Sequence, residues 1–212
     1  MAVQRLTRSE RKARTRADLI AAARTVFLRR GFHAASLDEI ADEAGFTKGA
    51  VYSNFAGKDE VFLAVLEEHF RTRTETYVDL VLDHDELEDS CRAVARFWRE
   101  ANEREPEWPR LVLEFLAHAS RHDPLRSAAH EVRERGLDAI AEIIDALAER
   151  HGVEFTLPTR EIARGSGALN RGMAIEQLLD PAIPGELFEE MHVAYMRGLM
   201  REPSTGRPGS ER

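Results

Sequence analysis

Residues 36–58 read SLDEIADEAGFTKGAVYSNFAGK. Two helix-start signals lie inside this stretch. Ser36 and Glu39 make a capping box, in which the serine hydroxyl accepts an amide hydrogen bond and the glutamate reaches back to the cap. Leu37, Ile40, Ala41 and Ala44 then recur with helical spacing until Gly45 ends the run. Thr47 can cap a second short helix reaching about Asn54. Two short helices meeting at a wide angle need a small residue at their crossing, a turn residue that tolerates positive φ, and an apolar residue returning to the core. Ala41, Gly45 and Val51 meet those needs, four and six residues apart. The stretch reads as a helix-turn-helix over residues 37–56.

Helical period continues on both sides. Upstream, Leu19, Ile20, Ala23, Val26 and Phe27 form one stripe, with Thr15 and Asp18 as the expected start and Gly31 as the stop. Downstream, Lys58 opens a long helix through Val61, Phe62, Val65, Leu66 and Phe70. Further stripes run over 87–98, 108–119, 125–151, 159–180 and 185–200, with Pro181 and Pro184 dividing the last two. No stretch alternates with period two, so the expected fold is all-α with about nine helices. The organisation expected is a basic flexible arm at 1–13, a helix-turn-helix domain at 14–60, a helical body at 61–201 and a disordered polar tail at 202–212.

Composition narrows the function classes. With 212 residues, 43% hydrophobic and 32% charged, the chain can bury a core. No apolar run approaches the roughly 20 residues that span a bilayer, and the first residues lack the apolar core of a signal peptide. Cys91 is the single cysteine, which leaves no internal disulfide or Cys-rich zinc site. A cytoplasmic address is expected, with nucleoid association when bound to DNA. The net charge of −8 hides an asymmetry: +7 over residues 1–30, −4 over 31–60 and −11 over the rest. Such a basic front suggests that one end meets a polyanion, or else merely aids solubility.

The motif resembles the TetR family of bacterial transcriptional repressors. The likeness runs from about Thr15 to about Leu66 and centres on IADEAGFTKGAVYSNFAGKDEVFLAVL. Two positions depart from the family pattern: Phe46 replaces a smaller aliphatic residue, and Asn54 stands where histidine is frequent. The resemblance implies an all-helical homodimer that binds a quasi-palindromic operator and is not an enzyme. The second short helix would enter the major groove tip first, its free amides favouring phosphate. Thr47 would cap that helix and reach the backbone, while Lys48, Gly49 and Ala50 would lie nearest the bases. Tyr52 and Lys58 resemble the family's phosphate contacts, Ser36 could add another, and Ser53 and Asn54 could supplement base reading. The plainer readings are a half-buried Tyr52, a merely capping Thr47 and a solvated Lys58.

The body carries two further expectations. The segments 159–180 and 185–200 are apolar on more than one side, so Ala168, Ile175, Leu179, Val193, Met196 and Met200 are candidate dimer contacts. Trp98, Trp108, Leu111, Glu114, Phe115, His118, Asn170, Met173 and Gln177 are candidate ligand contacts, with Arg96 converging on them; the alternative is plain core. Glu114 inside an apolar stripe suggests an apolar or cationic organic effector, unless it faces solvent beside Arg110. His118 and His122 stand four apart but have no third ligand, so no metal and no cofactor is expected. The remaining readings are a DNA-binding regulator without an effector and a helical metal-binding protein or enzyme.

Overall fold

Apolar residues every three or four positions leave one solution for the backbone, and it is helical almost throughout. The computed structural model describes residues 7–82 and 84–201. Among them lie nine helices: α1 Arg8–Ala34, α2 Leu37–Ala44, α3 Lys48–Tyr52, α4 Lys58–Leu82, α5 Leu87–Arg104, α6 Glu107–Ala119, α7 Asp123–His151, α8 Thr159–Leu179 and α9 Glu186–Gly198. The sole β-type pairing among these residues is an isolated bridge from Phe155 to Met200. The fold is all-α, as expected.

One boundary differs from expectation. α1 starts at Arg8, well before the expected cap at Thr15, because a complete capping box lies upstream. The Thr7 hydroxyl accepts from the Glu10 amide at 3.2 Å, and the Glu10 carboxylate accepts from the Thr7 amide at 2.6 Å. The intervening Arg, Lys, Glu and Ala residues are good helix formers, so nothing delays the start to Thr15. The arm expected at 1–13 is therefore helical from Arg8 onward. Its first six residues, and the tail 202–212, lie outside the described residues.

Helices α1 to α4 close around Phe27, Phe32, Ile40, Val51 and Phe62. That core does not stop at the expected boundary near residue 60. Trp108, Leu111, Phe115 and Ala119 of α6 pack into it, and the Phe62 and Phe115 rings stack at 4.3 Å. A second cluster joins Leu87 and Cys91 of α5 to Leu137, Ile144 and Leu147 of α7, Ile162 of α8, and Val193 and Met196 of α9. Burial pushes the Cys91 thiol up to about 12, which leaves it a packing group rather than a nucleophile.

His192 of α9 is buried beside Trp98 and Phe188. Burial lowers its pKa to about 4, partly offset by a hydrogen bond to the Cys91 backbone. Between pH 6.5 and 4 the unfolded chain therefore binds the proton that the folded chain refuses. Stability is complete above pH 6.5 and falls as the pH drops toward 4, by about 3 kcal/mol from this group. His192→Met should flatten that slope in denaturation at pH 7 and pH 5. It should not abolish it, because burial also holds His69 well below its ordinary value. An unchanged slope would show that His192 is charged in the folded state.

Candidate functional site

The two short helices are fixed by local hydrogen bonds. The Ser36 hydroxyl accepts from the Glu39 amide at 3.1 Å, and the Glu39 carboxylate accepts from the Ser36 amide at 3.2 Å. Arg30 adds a bond to the same carboxylate at 2.7 Å, tying the end of α1 to the start of α2. Gly45 takes the left-handed conformation (φ 68°, ψ 26°), and both Ala41 and Val51 are buried. The Thr47 hydroxyl accepts from the Ala50 amide at 3.3 Å and so caps α3. The turn geometry read from Ala41, Gly45 and Val51 is present in full.

α3 presents a small outer surface. Lys48 and Gly49 are exposed at its leading end, Ala50 is half-buried, and the Lys48 ammonium is ion-paired with Asp38 of α2. Tyr52 is 60% exposed, which removes the reading as half-buried core. Ser53 is exposed, with its hydroxyl donating to the Ala50 carbonyl at 2.9 Å. Asn54 turns inward: its amide nitrogen donates to the same carbonyl at 2.8 Å, and its side-chain oxygen is buried without a partner among the described residues. Asn54 thus holds the end of α3 instead of offering its amide outward. Arg16 secures the same corner, donating to the Asn54 carbonyl at 3.3 Å and lying 4.3 Å from the Phe55 ring centre.

Lys58 is not a free surface lysine. Its ammonium donates to the carbonyls of His33 and Ala35 at 2.9 and 3.2 Å and lies 4.9 Å from the Phe32 ring centre. A cation at a helix C-terminus satisfies carbonyls that the helix leaves unpaired. Lys58 therefore clamps the start of α4 to the end of α1 and retains one N–H for another acceptor. Arg8, Arg11, Lys12 and Arg14 stand exposed along the first turns of α1.

In the body, α4 to α8 enclose a cavity of about 240 Å³. Leu66, Phe70 and Tyr77 of α4, Trp98 of α5, Trp108 and Val112 of α6 and Ile140 of α7 supply apolar wall. His69 stacks on Trp108 at 3.9 Å, and burial with Arg73 and Arg24 nearby keeps its imidazole neutral. Asn102 donates to Asn170 at 3.0 Å on the wall. Three arginines, Arg73, Arg133 and Arg171, complete it. Arg24 of α1 lies 5.3 Å from the Trp108 ring centre and pairs with Glu105, so the head reaches the cavity wall through one ring.

Of the residues read as ligand contacts, Trp98, Trp108 and Asn170 line this cavity. Leu111 and Phe115 instead fill the core shared with the head. Glu114 accepts a hydrogen bond from the Phe32 amide at 2.8 Å, and His118 lies 3.4 Å from Asp59. Met173 packs in the cluster around Tyr77 and Trp98, and Gln177 donates to the Ile183 carbonyl at 3.4 Å. Arg96 reaches toward Glu189 rather than into the cavity. α6 is covered on two sides, and periodicity marks its apolar arcs without saying which neighbour each one meets. The turn of Glu114 away from the cavity also removes the basis for a cationic effector.

Among the candidate dimer contacts, Val193 and Met196 are buried within the chain's own core. Met200 forms the bridge with Phe155, and Ile175 lines the cavity. Ala168 and Leu179 remain outward, the latter 79% exposed. α9 packs closely on α5, so the apolar stripe that suggested a partner is covered by the same chain.

Residues 19–65 match the family model described as bacterial regulatory proteins, tetR family. That span contains both short helices, the Gly45 turn and the start of α4. The likeness to the TetR family is thus carried by the N-terminal head. The chain's relatives include the transcriptional activator FasR of Mycolicibacterium smegmatis, 51% identical over 65 residues, which are 31% of this chain and 28% of FasR. The transcriptional repressor BepR of Brucella suis is 42% identical over 62 residues, 29% of each chain. The chain thus matches less than a third of the length of these relatives, and their likeness is confined to part of each protein. Thermus thermophilus FadR, a TetR-family repressor solved with lauroyl-CoA, has a TM-score of 0.66 at 23% identity, covering 92% of this chain and 100% of its own. A regulator from Rhodococcus sp. has a TM-score of 0.69 at 19% identity, covering 89% and 100%. At these identities the TetR-like structures establish the fold.

Several site residues have no counterpart in the sequence reading: His69, Asn102, Arg133 and Arg171. A signal existed for Arg133, which stands four and seven residues before Leu137 and Ile140 and so shares their apolar face. All three line the cavity. Polarity alone assigns such an arginine to solvent.

Proposed function

We propose that this chain is a homodimeric transcriptional repressor, acting on DNA in the cytoplasm, which releases a quasi-palindromic operator when a small organic molecule fills the body cavity. Residues 8–60 would form the reading head, and Ala168 and Leu179 would lie at the subunit contact. Lys48, Gly49 and Ala50 would face base edges; Ser36, Thr47, Tyr52 and the third Lys58 donor would face phosphates, and Ser53 would flank them. The carrying observation is the double duty of α6. One side holds cavity walls, Trp108, Val112 and Leu116, while Glu114 on the other holds the Phe32 amide of the head.

Release would follow from linkage. DNA favours one separation of the two heads, about 34–36 Å for successive turns of one groove. An effector that shifts α6 favours another, and the head follows through Glu114 and the shared core. Coupling of about 1–3 kcal/mol gives a 5- to 150-fold change in affinity. BepR carries a repressor name and FasR an activator name, so the release mechanism rather than either name sets the direction chosen.

Selection from a random duplex library should return a site with two-fold symmetry, and anisotropy should show salt-sensitive binding. Lys48→Ala should shift the selected bases. Lys58→Ala should weaken all sequences alike and lower the salt slope by about one. It should also reduce stability by about 1 kcal/mol, since two carbonyls lose their donor. A monomeric protein indifferent to every duplex at low salt would end this reading.

A further inference from the structure

The arginines on the cavity wall are unlike the others nearby. Arg24 pairs with Glu105, Arg99 with Glu103 and Glu189, Arg160 with Glu134 and Asp138, and Arg164 with Glu134 and Glu161. Arg133 of α7 and Arg171 of α8 line the cavity and have no ion-pair partner among the described residues. Acids are not scarce, since the chain holds 38 Asp and Glu against 30 Lys and Arg. Burial first, and the neighbouring Arg133 charge second, push Arg171 down to about 10. Two uncompensated cations on a partly buried wall disfavour the empty state, and an anion placed between them relieves both.

The rest of the cavity is apolar and extended. A second cavity of about 50 Å³ shares Tyr77, Trp98 and Ile140 with the first and continues between Val81, Ile144 and Leu147. Arg133, Ile140 and Leu147 stand seven residues apart on α7, so they share one face and each step covers about 10 Å along the axis. The charged end and the far apolar end thus belong to one path along α7.

We infer that the effector is an organic anion with an extended apolar body, its charged head held by Arg133 and Arg171 and its body running past Tyr77 and Trp98. This inference rests on the reading of the cavity as the effector site, and it replaces the cationic alternative. A free long-chain carboxylate and an acyl thioester of coenzyme A both offer this chemistry.

The two tryptophans of the chain, Trp98 and Trp108, both line the cavity, so intrinsic fluorescence reports occupancy directly. The dimer would be titrated with dodecanoate, lauroyl-CoA, dodecanol and dodecyltrimethylammonium. At least one of the two anions should bind ten or more times tighter than dodecanol, and the ammonium weakest. Whichever anion leads identifies the source. Arg133→Gln and Arg171→Gln should each weaken that anion about tenfold or more and leave dodecanol unchanged. Both variants should melt no lower than the wild type without ligand, and Arg171→Lys should retain most of the affinity. Dodecanol binding as tightly as the anions, or no effect of Arg171→Gln, overturns the inference. Anisotropy on the selected operator separates the two readings. Anion binding without any loss of DNA affinity would sink the regulatory mechanism alone, whereas release only by the ammonium or the alcohol would sink the anion alone.

Discussion

Gly31→Ala should destabilise the protein by about 2–6 kcal/mol, more than its position near a helix end suggests. Two independent costs combine. Gly31 has φ 77° and ψ 168°, a region that other residues occupy only at about 1–3 kcal/mol of strain. A Cβ at Gly31 would also lie 2.9 Å from one Glu114 carboxylate oxygen and 3.2 Å from the other. Displacing that carboxylate leaves the buried Phe32 amide without its acceptor, which costs about 1–3 kcal/mol more. Glu114→Ala alone should show the second cost and Glu114→Gln little of it, since an amide oxygen still accepts. In the double variant the Cβ has room, so Gly31→Ala with Glu114→Ala should cost less than the sum of the singles. Denaturant titrations at fixed protein concentration measure the whole cycle. A Gly31→Ala variant within about 1 kcal/mol of the wild type would show that the head and α6 are not joined at this point.

That junction also marks the limit of what could be read from the chain. The helix-turn-helix was legible because its determinants are local: a cap at Ser36, a turn at Gly45, a cap at Thr47, and Ala41 and Val51 at fixed spacing. The start of α1 was misplaced because two Thr-led starts compete and only the upstream one, Thr7 with Glu10, forms. In the body, Trp98, Trp108 and Asn170 were recognisable as cavity wall. Glu114 and His118 were not recognisable as head contacts, because periodicity gives an angle about a helix axis and not the neighbour waiting there. Arg133 and Arg171 escaped notice for a related reason. A charge on an amphipathic helix is assigned to water unless a tertiary contact says otherwise, and here the two charges sit on different helices, far apart in the chain.

Leu179→Asp should turn the protein into a folded monomer whose operator affinity falls by about 10²- to 10⁴-fold. At 79% exposure Leu179 contributes little to its own chain, so the charge removes nothing from the core. In α8 it continues an outward line with Ala168 and Gly172, and Leu187, Met191 and Ala194 form a second such line on α9. Two lines of exposed apolar and small residues on adjacent helices are what a two-fold contact requires. An aspartate there would be repeated by symmetry, placing two carboxylates in one desolvated contact. Each head would still recognise a half-site, because nothing in α1 to α4 changes. What vanishes is the second, effectively intramolecular binding event, and a factor of about 10²–10⁴ goes with it. Val193→Asp makes the contrast: Val193 is buried inside the chain, so that variant should unfold rather than dissociate. Sedimentation and anisotropy on full and half operators distinguish these outcomes. If Leu179→Asp remained dimeric at micromolar concentration and bound the full operator undiminished, the subunit contact would have to be sought on another face.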